Sequence, residues 1–225
     1  MRTTIVFDVN ETLLDLSALD GLFAEYFGDA AVRRSWFAQV LQSALLSNVL
    51  EEYRDFGVMA AAALEIVAAR SAITLSAESS REILGGMRAL PAHPEAPGAI
   101  ARLKQFGCRL ATLTNSSSAM VQDQLRNSGL VDLFDTSISV DRVRRFKPAR
   151  VVYEMAAAEL GEDAGDLWLV AAHNWDTTGA LHAGWKAAFV QRPGMVLGPL
   201  DRTPQVIGRD LSDVADNLIA RLAQC

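Results

Sequence analysis

The sequence predicts an α/β fold: a doubly wound parallel sheet with helices on both faces, interrupted after its first strand by a helical insertion. Three observations carry this. Residues 3–8 form an apolar, β-branched run without alternation, the pattern of a strand buried on both faces. From residue 98 onward, short apolar runs alternate with helical periods, as in a parallel sheet. Between them, residues 15–93 carry helix patterns only.

The elements follow in order. Strands are expected at 3–8, 108–114, 136–140, 167–172, 187–190 and 205–208. In the alternating part, helices are expected at 98–107, 118–129, 149–161, 177–184 and 211–224. Pro97 stands near the start of the first and Gly107 past its end, the usual asymmetry of helix termini. In the insertion, helices are expected at 16–28, 30–50, 56–71 and 76–90. In the second of these Trp36, Phe37, Val40, Leu41, Ala44 and Leu45 recur at three- and four-residue steps. "PAHPEAPG" then breaks the pattern with three prolines. The expected organisation is a core of residues 1–14 and 94–225 and an inserted helical unit of residues 15–93.

Composition narrows the function classes. A chain of 225 residues can bury a real core, and 50% hydrophobic with 21% charged residues is ordinary for a globular protein. The net charge of −6 offers no basic footprint, so nucleic acid is not an expected partner. No apolar run reaches membrane-spanning length; the longest Ala-rich one, "VMAAAALEIVAA", carries Glu65. Cys108 and Cys225 give neither a disulfide framework nor a metal spacing, and Asp8 follows Arg2 too soon for a signal peptide. A cytoplasmic location is therefore expected. Lysine is scarce, three against 18 arginines, so a lysine in a motif stands out.

Open parallel sheets bind ligands outside the carboxyl ends of their strands. Past the first strand come Asp8, Asn10 and Thr12. Past the second come Thr114, Asn115 and Ser116 to Ser118. Near the third, "RRFKPARVVY" holds Lys147 and Tyr153, and past the fourth come His173, Asn174, Trp175 and Asp176. Each cluster has a structural alternative. Asp8 could end a turn, "TNSSS" could cap a helix, Lys147 could be solvated in a loop, and Asp176 could cap the next helix. Four polar clusters at one sheet edge favour a site, and an insertion leaving that edge could roof it and exclude water.

The ordered set "FDVNETL", "LTNSS", "FKP…Y" and "AAHNWD" resembles the haloacid dehalogenase superfamily, over the whole chain. The branch it is most similar to is the type II L-2-haloacid dehalogenases. The resemblance implies a Rossmann-like core, a helical cap after the first strand and an aspartate nucleophile, Asp8. Most of that superfamily are magnesium-dependent phosphatases, whose first motif carries a second acid as general acid/base. Here that position is Asn10, which cannot shuttle a proton. Their fourth motif commonly supplies two acids beside the metal; here Ala172 replaces the first and only Asp176 remains. A hard cation wants several carboxylate oxygens, so no metal and no other cofactor is expected. Both departures suit displacement of halide from carbon. A halide leaves as an anion without a proton, and Lys147 would hold Asp8 ionised.

The expected reaction has two steps. Asp8 attacks the halogen-bearing C2 of a short 2-haloacid, and water assisted by Asp176 then hydrolyses the ester to a 2-hydroxy acid. The resemblance gives Asp8, Thr12, Lys147 and Asp176 catalytic roles, with Thr12 orienting the nucleophile. The expected substrate-binding set is Asn10, Thr114, Asn115, Tyr153, His173, Asn174, Trp175 and Phe37. Trp175 falls where the family has an aromatic against the leaving halide, with a core aromatic as its alternative. His173 stands where a polar amide is usual and could position water, with simple local hydrogen bonding as its alternative. Phe37 falls where the family carries a halide-cradling arginine; Arg33 and Arg34 are one turn away and could substitute for it, though both are expected at the surface. Ala171 and Ala172 replace an expected serine. The partners are a haloacid and its halide product; the resemblance implies a homodimer, which the apolar cap helices could support, though they could equally be roof and core. Two other readings stay open: a metal-assisted phosphatase with atypical motifs, and a non-catalytic descendant that binds a small acid.

Overall fold

The computed structural model describes residues 3–224. Residues 1, 2 and 225, which end the expected core segments, lie outside the described residues.

Six parallel strands form one sheet: β1 Thr4–Phe7, β2 Arg109–Thr114, β3 Thr136–Ser139, β4 Leu167–Ala171, β5 Lys186–Val190 and β6 Val206–Gly208. Their spatial order is β3-β2-β1-β4-β5-β6. β1 is central, pairing with β2 on one side and β4 on the other, and all four of its residues are buried. Burial on both faces explains the unbroken apolar run. The order reverses direction between β1 and its two neighbours, which opens the ligand crevice of a doubly wound sheet at the end of β1.

Helices α5 Ala96–Gln105, α6 Ser118–Asn127, α7 Arg150–Leu160, α8 Asn174–His182 and α9 Leu211–Leu222 belong to the alternating part of the chain. Helix α5 starts at its Pro97 signal, and α7 ends on Gly161 in the left-handed conformation that glycine adopts without strain. The remaining helices, α1 Asp20–Phe27, α2 Val32–Leu50, α3 Phe56–Arg70 and α4 Ala77–Gly86, lie between β1 and α5. Trp36, Val40, Ala63 and Leu64 of α2 and α3 are buried in the same apolar cluster as the sheet residues.

The chain leaves and re-enters the core at adjacent points. Leu14 bridges Ala92 in antiparallel sense, Asp15 N–H donates to the Pro91 carbonyl, and His93 N–H donates to the Leu13 carbonyl. The two crossings therefore tie to each other beside the end of β1, where the chemistry-bearing side chains collect.

Candidate active site

The site is built around Asp8. Its N–H extends the sheet ladder by donating to the Val170 carbonyl at 3.0 Å, so β4 fixes the base of the side chain. The chain then turns sharply. Leu13 and Leu14 N–H groups both donate to the Val9 carbonyl, and Glu11 takes a positive φ of 62°. This turn brings Thr12 back over Asp8. Thr12 Oγ1 donates to Asp8 Oδ2 at 2.7 Å and accepts from Ala172 N–H at 2.9 Å, tying the ends of β1 and β4.

Lys147 fills the space between the two acids. It is 1% exposed, and its ammonium donates to Asp8 Oδ1 at 2.8 Å, Asp176 Oδ2 at 2.6 Å and the Leu113 carbonyl at 2.9 Å. Those three bonds use all three of its protons. Asp176, wholly buried, accepts the Tyr153 hydroxyl at 2.6 Å on its other oxygen. Burial alone would raise the Asp8 pKa, but the Lys147 charge, helped by His173, outweighs it and holds Asp8 well below the usual carboxylate range. Burial would lower the Lys147 pKa, and its two carboxylate partners reverse that and raise it. Asp176 moves the other way: burial, with repulsion from Asp8, pushes its pKa up despite Lys147.

His173 is the second cation beside Asp8. Its Nδ1 lies 3.2 Å from Asp8 Oδ2 and its Nε2 lies 2.9 Å from Glu11 Oε2. Burial would depress its pKa, but the bonds to Asp8 and Glu11 outweigh that and raise it to about 9. The imidazole stacks on Trp175 at 4.9 Å, with the Phe37 ring 6.4 Å away. Glu11 continues the polar chain to Arg33, whose Nε donates to Asp20.

His173 also faces solvent-accessible space. A cavity of about 600 Å³ is lined by Glu11, Arg33, Arg34, Phe37, His173, Asn174, Trp175 and Arg192, among others. A much smaller hollow is lined by Leu41, Asn115, Lys147 and Trp175, so Trp175 borders both spaces.

The expected site residues therefore divide. Asp8, Thr12, Lys147, Tyr153, His173 and Asp176 form one hydrogen-bonded group. Phe37, Asn174 and Trp175 line the large cavity, and Asn174 Nδ2 donates to Asp201 at 2.9 Å. Asn115 borders the small hollow, with its Oδ1 accepting Lys147 N–H at 2.9 Å. Asn10, Thr114 and Tyr153 line neither space. Asn10 donates to Ser116 Oγ and accepts from Gln124, while Thr114 Oγ1 accepts Ser116 N–H. Lys147 is not a solvated loop lysine. The helix-cap alternative for "TNSSS" holds for Ser117, which accepts Met120 N–H.

One expectation is corrected. Arg33 is not at the surface: it is 5% exposed, because the carboxylates of Asp20 and Glu11 compensate its charge. Arg34 is exposed and lines the cavity. Sequence reasoning also missed Glu11 and Arg192. Glu11 lies inside the first motif, where it reads as a turn residue. Arg192 lies two residues past β5, and its Nη2 donates to the Thr12 carbonyl at 2.8 Å while Nη1 pairs with Glu95 at 2.6 Å. The strand-end rule applied to the fifth strand would have found it.

A doubly wound sheet that ends its central strand on an ion-paired, threonine-oriented aspartate defines an α/β protein with a carboxylate-centred site. Residues 3–184 match the family model described as haloacid dehalogenase-like hydrolase. The chain is 30% identical over 217 residues to the (S)-2-haloacid dehalogenase H-109 of Pseudomonas putida, covering 96% of this chain and 97% of that one. It is 30% identical over 202 residues to the haloacetate dehalogenase H-2 of Moraxella sp. (strain B), covering 89% and 90%. Its fold matches the L-2-haloacid dehalogenase structure from Xanthobacter autotrophicus with a TM-score of 0.90 at 23% identity, covering 97% and 98%. The chain belongs to the haloacid dehalogenase-like hydrolase family, in its L-2-haloacid dehalogenase branch.

Proposed function

We propose that this protein hydrolyses short 2-haloalkanoic acids to 2-hydroxy acids through an ester on Asp8. The observation that carries the reading is the state of Asp8: buried, oriented by Thr12, and paired with a lysine that itself fills the gap to Asp176. Such a carboxylate is desolvated yet held ionised, which is what a weak oxygen nucleophile needs. No proton donor of carboxylic type stands at Asn10, and a departing halide needs none. A magnesium ion does not fit this donor set, because the Lys147 ammonium holds the oxygens it would take and Ala172 supplies none. The names of the two curated relatives support the same substrate class.

In the first step an Asp8 oxygen bonds to C2 as the carbon–halogen bond breaks and halide leaves. In the second, water attacks the ester carbonyl of Asp8, which restores the carboxylate and releases the 2-hydroxy acid. Only the first step touches C2, so configuration inverts there.

The geometry favours His173 over Asp176 as the group that takes the water proton. Asp176 is sealed from both spaces, with its oxygens held by Lys147 and Tyr153. His173 lines the cavity and touches Asp8. Forming the ester removes one of the two anions that keep His173 protonated, so its proton passes to solvent. The neutral imidazole, its Nε2–H directed at Glu11, then presents Nδ1 to water beside the ester. It regains its proton as water adds, and the sum of both steps releases one proton with the halide.

Residues 15–93 act as a cap over the core of 1–14 and 94–225, a reading supported by the paired crossings at Leu14 and Ala92. The exposed apolar side chains Leu46, Val49, Leu50 and Val58 on α2 and α3 support a homodimer. The two-cysteine composition suits the cytoplasm.

The test is halide release from chloro-, bromo- and fluoroacetate at high protein concentration, run beside a generic phosphate ester with magnesium or with EDTA. Halide release is expected, with no metal-dependent phosphate release. Neither product would favour the non-catalytic descendant. An Asp8→Asn variant that keeps full halide release would sink the nucleophile assignment.

A further inference from the structure

We propose that Asn48, on helix α2, is a positioning residue for Lys147. The inference rests on the role given above to Lys147 as the cation that holds Asp8 ionised.

Lys147 lies in an irregular segment between β3 and α7, so no ladder or helix fixes its backbone. Yet its buried ammonium must meet three acceptors at 2.6 to 2.9 Å. Side chains supply what secondary structure does not. Asn48 Nδ2 donates to the Phe146 carbonyl at 2.8 Å, and Asn48 Oδ1 accepts Phe146 N–H at 2.8 Å. The next N–H, of Lys147 itself, donates to Asn115 Oδ1 at 2.9 Å. The peptide group that leads into Lys147 is therefore held at its oxygen from α2 and at its nitrogen from the end of β2. The Phe146 ring is also wedged by Tyr53 and Phe56 at 5.1 and 5.9 Å, both from the inserted segment.

The consequence is specific. The helical insertion does more than roof the site: through one amide it sets the backbone from which the Asp8 counter-charge hangs. A displacement of about 1 Å in such a group costs on the order of 100-fold in rate. Removing Asn48 lowers kcat by about 10- to 100-fold with KM changed much less, since Asn48 borders neither space that a small acid could enter. It also raises the acid limb of the pH profile, because a displaced Lys147 holds Asp8 ionised less well.

The experiment uses the full chain as Asn48→Ala, with Asn48→Ser, which shortens the side chain and breaks the paired bonds to Phe146 without adding charge, in case the alanine variant is too unstable. Tyr53→Phe is the control: it deletes another hydrogen bond between the insertion and the core, to Asp141, and leaves the Phe146–Lys147 peptide alone. Two readouts are taken: halide release from bromoacetate against pH, and the ¹³Cε signal of Lys147 in lysine-labelled protein. With three lysines in the chain the signal is readily assigned. The expected result is a kcat loss, an upward-shifted acid limb and a moved Lys147 signal in the Asn48 variants but not in Tyr53→Phe. An unmoved Lys147 signal, or equal losses in Asn48→Ala and Tyr53→Phe without a pH shift, overturns the proposal. If the wild type releases no halide the dehalogenase reading fails, while the Lys147 signal still decides the clamp.

Discussion

His173→Phe separates the two halves of the reaction. Phenylalanine keeps a ring against Trp175 but supplies neither a proton acceptor nor the polar amide usual at this position. Lys147 stays 2.8 Å from Asp8 and continues to hold it ionised, so attack on C2 proceeds. Ester hydrolysis loses its base, and positioned bases contribute about 10²- to 10⁴-fold. The order of the two rates then inverts and the ester accumulates. The assay mixes excess variant with bromoacetate, follows bromide in the first turnover, and weighs the intact chain. About one equivalent of bromide per site should appear in a burst, with the chain heavier by the substrate's carbon skeleton on the peptide that carries Asp8. Glu11→Gln should show a milder form, because it keeps an acceptor for the imidazole Nε2–H and removes only the negative charge beside it. Steady turnover of His173→Phe within tenfold of wild type, with no adduct, would refute the assignment and return the role to Asp176.

The remaining predictions concern charge and packing. The His173 pKa is raised from 6.5 to about 9, so its proton stabilises the fold fully below pH 6.5, and this stability is lost as pH rises through about 9. The shift corresponds to roughly 3 kcal/mol, part of it the same Asp8–His173 attraction that depresses Asp8; urea midpoints of wild type should fall between pH 6 and 10 more than those of His173→Asn. Lys147→Met leaves two buried carboxylates facing each other and should cost about 3–5 kcal/mol with loss of halide release; a loss under about 1 kcal/mol by urea melting would contradict the buried-triad argument. Phe37→Arg puts a second cation near His173 in a site where Phe37 is 4% exposed; it should destabilise by roughly 1–3 kcal/mol and lower halide release, and a gain in activity would count against the reading of this cavity. Asn10→Asp should cost roughly 1–3 kcal/mol by losing the donor to Ser116, without creating magnesium-dependent phosphate release.

Much of this site was legible because the sheet writes its chemistry in order. Asp8, Thr114, Lys147 and Asp176 each follow or neighbour an apolar run, and a parallel sheet buried on both faces makes those runs unambiguous. The helical insertion was legible from its period alone. What stayed hidden depends on contacts between distant segments. Arg33 reads as a surface residue until Asp20 and Glu11 are seen to meet it. Asn10 reads as part of the substrate site because it lies two residues from Asp8, yet the turn at Glu11 points its amide at Ser116 and Gln124. Asn48 carries no sequence signal, since its partners are backbone atoms 98 residues away. His173 could be placed by motif, but its two anionic neighbours, and hence its charge, appear only in three dimensions.

The ester on Asp8 is the step on which everything else depends. A single turnover of bromoacetate in ¹⁸O-water, with enzyme in excess, tests it most directly. The expected result is one ¹⁸O in the Asp8 carboxylate, found in the peptide that contains residues 3–16, and unlabelled glycolate. Label confined to the glycolate, with none in Asp8, would mean that water attacks C2 itself and that no ester forms.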